Sequence, residues 1–441
     1  MKVVFLKDIC NFEKGSTGLE KATPGKYPLV ATGKDRRSCD SFQFDTKAVC
    51  VPLVSSTGHG HASLKNVHYQ EGEFALGSIL VALTAKSEDV LDIQFLHLYL
   101  SELKDKILVP LMSGAANVAL SVRKIQNIEI PLPSISRQQE IVVQFKSIAA
   151  EEKELNAELT HQQTLLKKLR QSILQEAIEG KLTKDWRAEN PCVEPASELL
   201  KRIQAEKEQL IKDKKIKKQK PLPPISEEEK PFELPEGWVW CRLGNIILSA
   251  NDGPHVSPEY STNGIPFIST RNVSPTGIDF STSKYITQEY HQTLSKKCKP
   301  DKWDILYTKG GTTGIACVNS YDIDFNVWVH VAVLKKPSEM NSSYVQHLLN
   351  SPHCYKQSQK LTHGIGNQDL GLTRMVKITT PLPPLPEQKA IVTKVKKLLT
   401  LCDQLEIQIT NNQTHAEQLM QAVLKEAFSQ NNEPQRATAH A

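Results

Sequence analysis

The sequence predicts two α/β (α+β) globular units, each followed by a long helix. The two helices are expected to pair as an antiparallel coiled coil about a pseudo-two-fold internal repeat. Three observations carry this reading. One stretch occurs twice: Pro131-Leu132-Pro133-Ser134-Ile135-Ser136-Arg137-Gln138-Gln139-Glu140-Ile141-Val142 returns, 250 residues on, as Pro381-Leu382-Pro383-Pro384-Leu385-Pro386-Glu387-Gln388-Lys389-Ala390-Ile391-Val392. The offset then holds without a gap, so that Lys146, Gln163, Leu169, Gln171 and Glu176 recur as Lys396, Gln413, Leu419, Gln421 and Glu426. Each copy is preceded by β-rich runs and Gly/Asn turns that match in outline. A repeat of this length signals a duplicated architecture. A two-fold axis reverses direction, so two such units must place their helices antiparallel.

The bulk composition narrows the class. A chain of 441 residues with 39% hydrophobic and 23% charged residues has room for two or three ordinary globular cores. No apolar run approaches the roughly 18 residues that span a bilayer, and Met1–Asp8 is too short an apolar core for a signal peptide. The nine cysteines stand singly, with no Cys-x-x-Cys pair; this argues against a zinc cage or disulfide framework and fits a reducing cytoplasm. Net charge is +5, but residues 201–220 hold nine Lys/Arg against three Asp/Glu, which leaves the rest near neutral. Any nucleic-acid contact by the globular parts must therefore use local patches.

In chain order, residues 1–130 form the first globular unit. Tyr27–Thr32, Ala48–Val51 and Ser78–Leu83 read as strands between Gly, Asp, Ser and Asn clusters, and Ile93–Leu103 as a helix. The long helix, within 131–183, carries Ile141, Phe145, Ile148, Glu152, Leu155, Leu159, Gln162, Leu166, Leu169 and Ile173 at steps of four and three, a heptad seam. Its copy, within 381–430, carries Ile391, Val395, Leu398, Cys402, Leu405, Ile409, Asn412, Ala416, Leu419 and Val423. About 40 residues at 1.5 Å each make a helix roughly 60 Å long. Residues 184–234 are a basic connector broken by Pro191, Pro195 and Pro221–Pro224, residues 235–380 the second globular unit, and 431–441 a polar tail.

Catalytic motifs are missing. The Pro-Pro pairs at 223–224 and 383–384 lack the preceding Asn or Asp of an adenine methyltransferase, and no phosphate-binding Gly-x-x-x-x-Gly-Lys-Ser/Thr loop exists. Pro300-Asp301 lacks the following acid-x-Lys of a metal nuclease and reads as a turn. His59-Gly60-His61, with His68 nearby, has no third ligand at a diagnostic spacing and reads as a polar loop. Thr308–Gly314 reads either as a phosphate cradle or as a flexible hairpin. The 201–220 run is either a solvated helix or a contact for phosphate or a partner.

The paired Pro-Leu-Pro…Gln…Ile-Val helices, the run Glu179-Gly180-Lys181-Leu182-Thr183-Lys184-Asp185-Trp186-Arg187 and the opening Leu234-Pro235-Glu236-Gly237-Trp238 together resemble the type I restriction–modification specificity (S) subunits. The resemblance covers nearly the whole chain. It departs only at the start, where Met1–Leu6 enters the first unit without a Leu-Pro-x-Gly-Trp lead-in. It implies that each globular unit is a target recognition domain that reads one half of a bipartite double-stranded DNA sequence, while the helices set the gap. It implies two modification (methyltransferase) and two restriction (translocase–nuclease) subunits as partners, adenine N6-methylation and endonuclease activity in host defence, and a prokaryotic cytoplasmic setting. It implies no active site, cofactor or metal on this chain; S-adenosylmethionine, ATP and Mg belong to the partner subunits.

Base reading is expected from loops. The candidates are Lys34, Arg36 and Arg37 after the first Pro28 strand, and Arg271 and Asn272 at the equivalent place in the second unit. Arg suits guanine and Asn adenine as bidentate partners. Lys309, Thr312 and Thr313, with Asn117 and Asn367 in the repeated turn, complete the set. Unlike loops imply unlike half-sites and an asymmetric target. Two rivals are a self-contained methyltransferase or nuclease, which would turn over alone, and a coiled-coil adaptor, which would show no sequence-dependent DNA binding.

Overall fold

The computed structural model of the protein describes residues 2–57, 60–115, 117–364 and 368–429. The chain forms two units: one holds residues up to Thr160 together with the helical segment from Thr410, the other His161–Ile409. Short one-turn helices aside, the first unit contains β1 (Lys2–Phe5), β2 (Cys10–Lys14), β3 (Tyr27–Val30), β4 (Arg37–Cys39), β5 (Phe44–Asp45), β6 (Ala48–Pro52), β7 (His68–Gln70), β8 (Glu73–Leu76), β9 (Leu80–Ala85), α1 (Ile93–Glu102) and β10 (Glu129–Leu132). One sheet runs β2-β9-β6-β7 and a second β4-β3-β8-β5, with β3 and β8 parallel. The apolar run of β6 is explained by burial on both faces. Val49 and Val51 join a core with Phe95 and Leu96 of α1, while Ala48 and Cys50 pack with Phe44, Phe74 and Leu76 of the other sheet.

From β10 the chain enters α2 (Ile135–Ile178) and, after the connector helix α3 (Ala196–Lys212), reaches the second unit. There β11 (Val239–Arg242), β12 (Ser249–Asp252), β13 (Ile265–Ile268), the hairpin β14 (Val273–Ser274) and β15 (Gly277–Ile278), β16 (Lys284–Ile286), β17 (Ile305–Thr308), β18 (Ala316–Val318), β19 (Asn326–Val327), β20 (Val331–Lys335), α4 (Ser342–Leu349) and β21 (Thr379–Leu382) lead into α5 (Leu385–Ser429). The sheet β12-β20-β17-β18 repeats β2-β9-β6-β7, and β13 pairs in parallel with β19 as β3 does with β8. β11 pairs with β21 from Val239↔Leu382, as β1 pairs with β10 from Lys2↔Leu132. The first strand thus forms without the lead-in motif, because its partner strand belongs to the repeated stretch.

The repeated glutamine fastens each long helix to its globular domain. Gln138 is fully buried: its Oε1 accepts from Asp92 N at 2.8 Å and its Nε2 donates to the Val90 and Pro133 carbonyls, both at 2.9 Å. Asp92 in turn caps α1. Gln388 does the same in the second unit, accepting from Asn341 N at 3.2 Å, where Asn341 caps α4, and donating to Pro383 O at 3.1 Å. Ile141 and Val142 extend the first core, and Ile391 and Val395 are fully buried.

The helices meet differently from the expected seam. In the second unit Arg170 Nη2 donates to Asp403 and Glu406 at 2.6 and 2.9 Å, and further along the chain Thr183 reaches back to Glu387 at 2.7 Å. The partner numbering falls as α2 advances, so the pairing is antiparallel. Leu159, Leu166 and Ile173 are buried as expected, and so are Cys402 and Ile409. Phe145, Ile148, Leu398 and Val423 are half-buried. Leu155, Leu169, Leu405 and Leu419, however, are exposed. The alternate seam positions on α2 fall one residue later, at Asn156, Gln163, Arg170 and Ala177. One residue is about 100° around a helix, so the leucines point away from the partner, and Asn156, Gln163 and Arg170 with the small Ala177 take their place.

Glu387 explains the two further motifs. Its buried carboxylate accepts from Thr183 Oγ1, from Arg187 Nη1 at 2.5 Å and from Trp238 Nε1 at 2.8 Å. α2 ends at Ile178 and Gly180 takes φ +74°, with Pro235 and Trp238 so close that a Cβ would lie 2.5 Å from Pro235 Cγ. Three segments distant in sequence are thereby joined at one buried acid.

Candidate nucleic-acid interface

In the second unit β17 pairs with β20 from Ile305↔Leu334 to Thr308↔Val331. The residues after Lys335 lead to Asn341, beside the start of α5. The opposite rim consists of the loops after β12, after β17 and before β20. Arg271, Thr312 and the aromatic residues described below gather at that rim.

The sequence candidates divide by whether their polar atoms are already engaged. Lys34, Arg37 and Asn117 in the first unit, and Arg271 and Thr312 in the second, are exposed, and among the described residues their side chains have no hydrogen-bond or ion-pair partner. Arg36 is different. Its Nε donates to Gln70 Oε1 at 2.8 Å, Nη1 to His68 Nδ1 at 3.1 Å and Nη2 to Tyr69 O at 3.0 Å, so its fork braces β7 instead of facing outward. Burial, with Arg36 beside it, pushes the His68 imidazole down to about 4, which keeps Nδ1 an acceptor.

Asn272 and Lys309 depart furthest from the expectation. Asn272 is buried and all its hydrogen-bonding capacity is used: Oδ1 accepts from Ser269 N and Oγ, and Nδ2 donates to Asp279 O and Thr282 Oγ1. It shapes the turn that presents Arg271. Lys309 is buried with Nζ 2.9 Å from Asp369 and 3.4 Å from Asp252, so it ties three loops together. Thr313 is buried too, its carbonyl accepting from Gln359 Nε2. The 308–314 segment forms a hairpin between β17 and β18, with Gly314 N donating to Thr308 O. Asn367, His59 and the 431–441 tail lie outside the described residues.

The rim of the second unit also holds a cleft of about 220 Å³ that local sequence reasoning did not single out. Tyr260, Phe267 and Trp328 line it with Arg271, Lys284 and His330. Phe267 meets Tyr260 and Trp328 edge to face, with centroids 6.2 and 5.8 Å apart, and Lys284 Nζ lies 4.0 Å from the Tyr260 ring centre. His330 lies close against Gly310, where a Cβ would come within 2.1 Å of its Nδ1; only glycine fits there. The signal was aromatic residues interleaved with cations, spread over too many residues to register as a motif.

The two domains share a frame and differ at this cleft. Trp328 N donates to Ile268 O as Gly77 N does to Val30 O, and Lys309 N donates to His330 O as Leu53 N does to Ile79 O. Gly77 and Ile79 therefore stand where the second unit has Trp328 and His330. The turn is also shared: Ser113↔Ala119 bridges as His363↔Asp369 does, at the same 250-residue offset. Among the described residues no three His, Cys, Asp or Glu side chains cluster as metal ligands, and no helix is long and apolar enough to cross a membrane.

Comparison with known proteins agrees with this architecture. The chain is 36% identical over 277 residues to the type I restriction enzyme EcoAI specificity subunit of Escherichia coli, covering 59% of this chain and 44% of that one. It is 31% identical over 258 residues to the EcoEI specificity subunit (56% and 42%), so these matches span less than half of either relative. The EcoDI subunit aligns over 97% of this chain and 87% of its own at 25% identity. The HsdS subunit from Thermoanaerobacter tengcongensis, 16% identical, superposes with TM-score 0.54 over 98% of this chain and 97% of that one. A chain from a structural study of the assembly and conformational transition of a type I R-M system, also 16% identical, gives 0.60 over 98% of both. The family model for the type I restriction modification DNA specificity domain matches residues 1–161 and 235–413, one copy per repeat, and the chain belongs to that family.

Proposed function

We propose that this chain is the DNA sequence-specificity subunit of a type I restriction–modification complex. Residues 1–130 and 235–380 are its two readers, each taking one half of a bipartite, asymmetric double-stranded DNA target, and α2 and α5 set the gap between the halves. The observation that carries this is the shared frame with unlike chemistry at the reading rim: Trp328, His330 and a free Arg271 in one unit, Gly77, Ile79, Lys34 and Arg37 in the other. Free Arg and Lys side chains on loops suit base edges and phosphates. Two short half-sites with an unread gap suit a rigid spacer.

The helices also offer docking surface. In the second unit Leu165 and Leu169 of α2 and Leu401 and Leu405 of α5 are 45–48% exposed, an apolar pair at i, i+4 on each helix that suits helices of two modification subunits. Two restriction subunits then complete the assembly. The chain directs adenine N6-methylation and cleavage in the prokaryotic cytoplasm without catalysing either; S-adenosylmethionine, ATP and Mg are handled by the partner subunits.

Sequencing of methylated bases in cells with and without the gene tests this. A bipartite N6-methyladenine motif should vanish on deletion, and unchanged methylation would favour the adaptor reading. Exchanging residues 1–130 for the unit of a relative should alter one half-site only; alteration of both would refute the two-reader assignment.

A further inference from the structure

The cleft beside Trp328 is concave, and its shape restricts what can enter. Elements that read the edges of stacked base pairs project into a groove. A recess of about 220 Å³ in a reading rim accepts a group that stands out from the nucleic acid, either a phosphate or one unstacked base. The lining decides between them. Phosphate sites are built of converging N–H groups and cations; here Arg271, Lys284 and the hydroxyl residues Ser269, Thr270 and Thr282 share the lining with three rings, whose apolar faces a phosphate would leave unused and a base would cover. Neither cation has an ion-pair partner among the described residues. Among the described residues His330 Nδ1 is buried with no hydrogen-bond partner, so Nε2 is the ring atom left to bond a guest.

We propose, resting on the DNA-reading assignment above, that this cleft receives a single nucleobase unstacked from the half-site of the second unit. The aromatic walls hold the ring, as they do in sites that take extruded bases. Arg271 and His330 address its polar edge, and Lys284 places positive charge beside the displaced backbone. The first unit, with Gly77 and Ile79 at the equivalent positions, has neither the Trp nor the His, so unstacking is confined to one half-site.

The test uses the full chain assembled with its methyltransferase subunits, on short duplexes carrying the motif found by methylation sequencing. The half-site of the second unit is assigned by the domain exchange. 2-Aminopurine or pyrrolo-cytosine is placed at each position in turn. The methyltransferase subunits extrude the adenines they methylate, so those positions are set aside; fluorescence should rise on binding at one further position of that half-site and at no further position of the other. Trp328→Ala should abolish the rise and weaken binding about 5- to 100-fold, while Trp328→Phe retains both. Arg271→Ala, at an exposed position, should reduce the rise with unchanged melting, which separates the effect from misfolding. If the motif is bound over scrambled duplex but no position besides the methylated adenines brightens, or such a position brightens only in the other half-site, the pocket is refuted and DNA reading stands. If the motif is bound no better than scrambled duplex, both assignments fall.

Discussion

Gln138 and Gln388 each hold a strand end, a helix cap and a long helix with one amide. Replacing Gln388 by Leu would leave Asn341 N and the Pro383 carbonyl unpaired in a buried place. The expected loss is about 1–3 kcal/mol, read by denaturant unfolding, and Gln138→Leu should match it. Lys309 and Arg271 give a sharper contrast. Lys309→Met removes the lysine that bridges Asp369 and Asp252, leaving Asp252 with Lys297 at 3.2 Å, and should destabilise the chain by about 1–3 kcal/mol. Arg271→Ala should leave the melting temperature unchanged. Acid stability follows from the histidines: burial holds both His68 and His347 down to about 4 from 6.5. Below pH 6.5 the unfolded chain takes up protons that the native state refuses until about pH 4, so stability should fall as pH drops through that window. Thermal melts from pH 7 to 4 check this, and His68→Gln should flatten the slope. At this scale the sequence showed residue types but not which polar atoms were already engaged. Arg271 and Asn272 are neighbours and look equivalent as letters, yet one is free and the other makes four internal hydrogen bonds.

The helices were legible because periodicity survives without tertiary knowledge: each begins within a few residues of its Pro-Leu-Pro motif. Which stripe faces inward was not legible. Leu155 and Leu169 compete with Asn156, Gln163 and Arg170 for the seam, and hydrophobicity alone favours the leucines. The arrangement is decided by the partner helix, whose Asp403 and Glu406 receive Arg170. A mutational contrast follows. Leu166→Ser, at a buried position, should cost about 2–4 kcal/mol. The double change Leu169→Ser with Leu405→Ser should alter stability by less than about 1 kcal/mol while abolishing co-purification of the methyltransferase subunit. Equal destabilisation by both would place the leucines in the seam after all.

For the whole molecule, the duplication was readable from the 250-residue offset, and the strand-by-strand correspondence was not, because loops between the anchors differ in length and type. Gly58 and Gly314 follow Ser56-Thr57 and Thr312-Thr313 at an offset of 256, a likeness that becomes visible only once β6 and β17 are aligned. A spacer of antiparallel helices makes a geometric prediction. Seven residues inserted at matching points of both helices add about 10 Å, or roughly three base pairs, to the unread gap. Methylation sequencing of such a variant should show the two half-sites unchanged and moved apart; an unaltered gap would refute the spacer role.

The first unit is completed by the helical segment from Thr410, which the ribosome makes 250 residues after Thr160. At about 5–20 residues per second, that is roughly 12–50 seconds of synthesis. During that interval Leu159 and its neighbours on the emerging first helix have no helix to cover them, while the first globular core can already close. The nascent chain must therefore tolerate or shield an uncovered apolar stripe until synthesis is nearly done. The polar residues in that stripe, Asn156 and Gln163, would keep the waiting helix from sticking to its copies on neighbouring ribosomes.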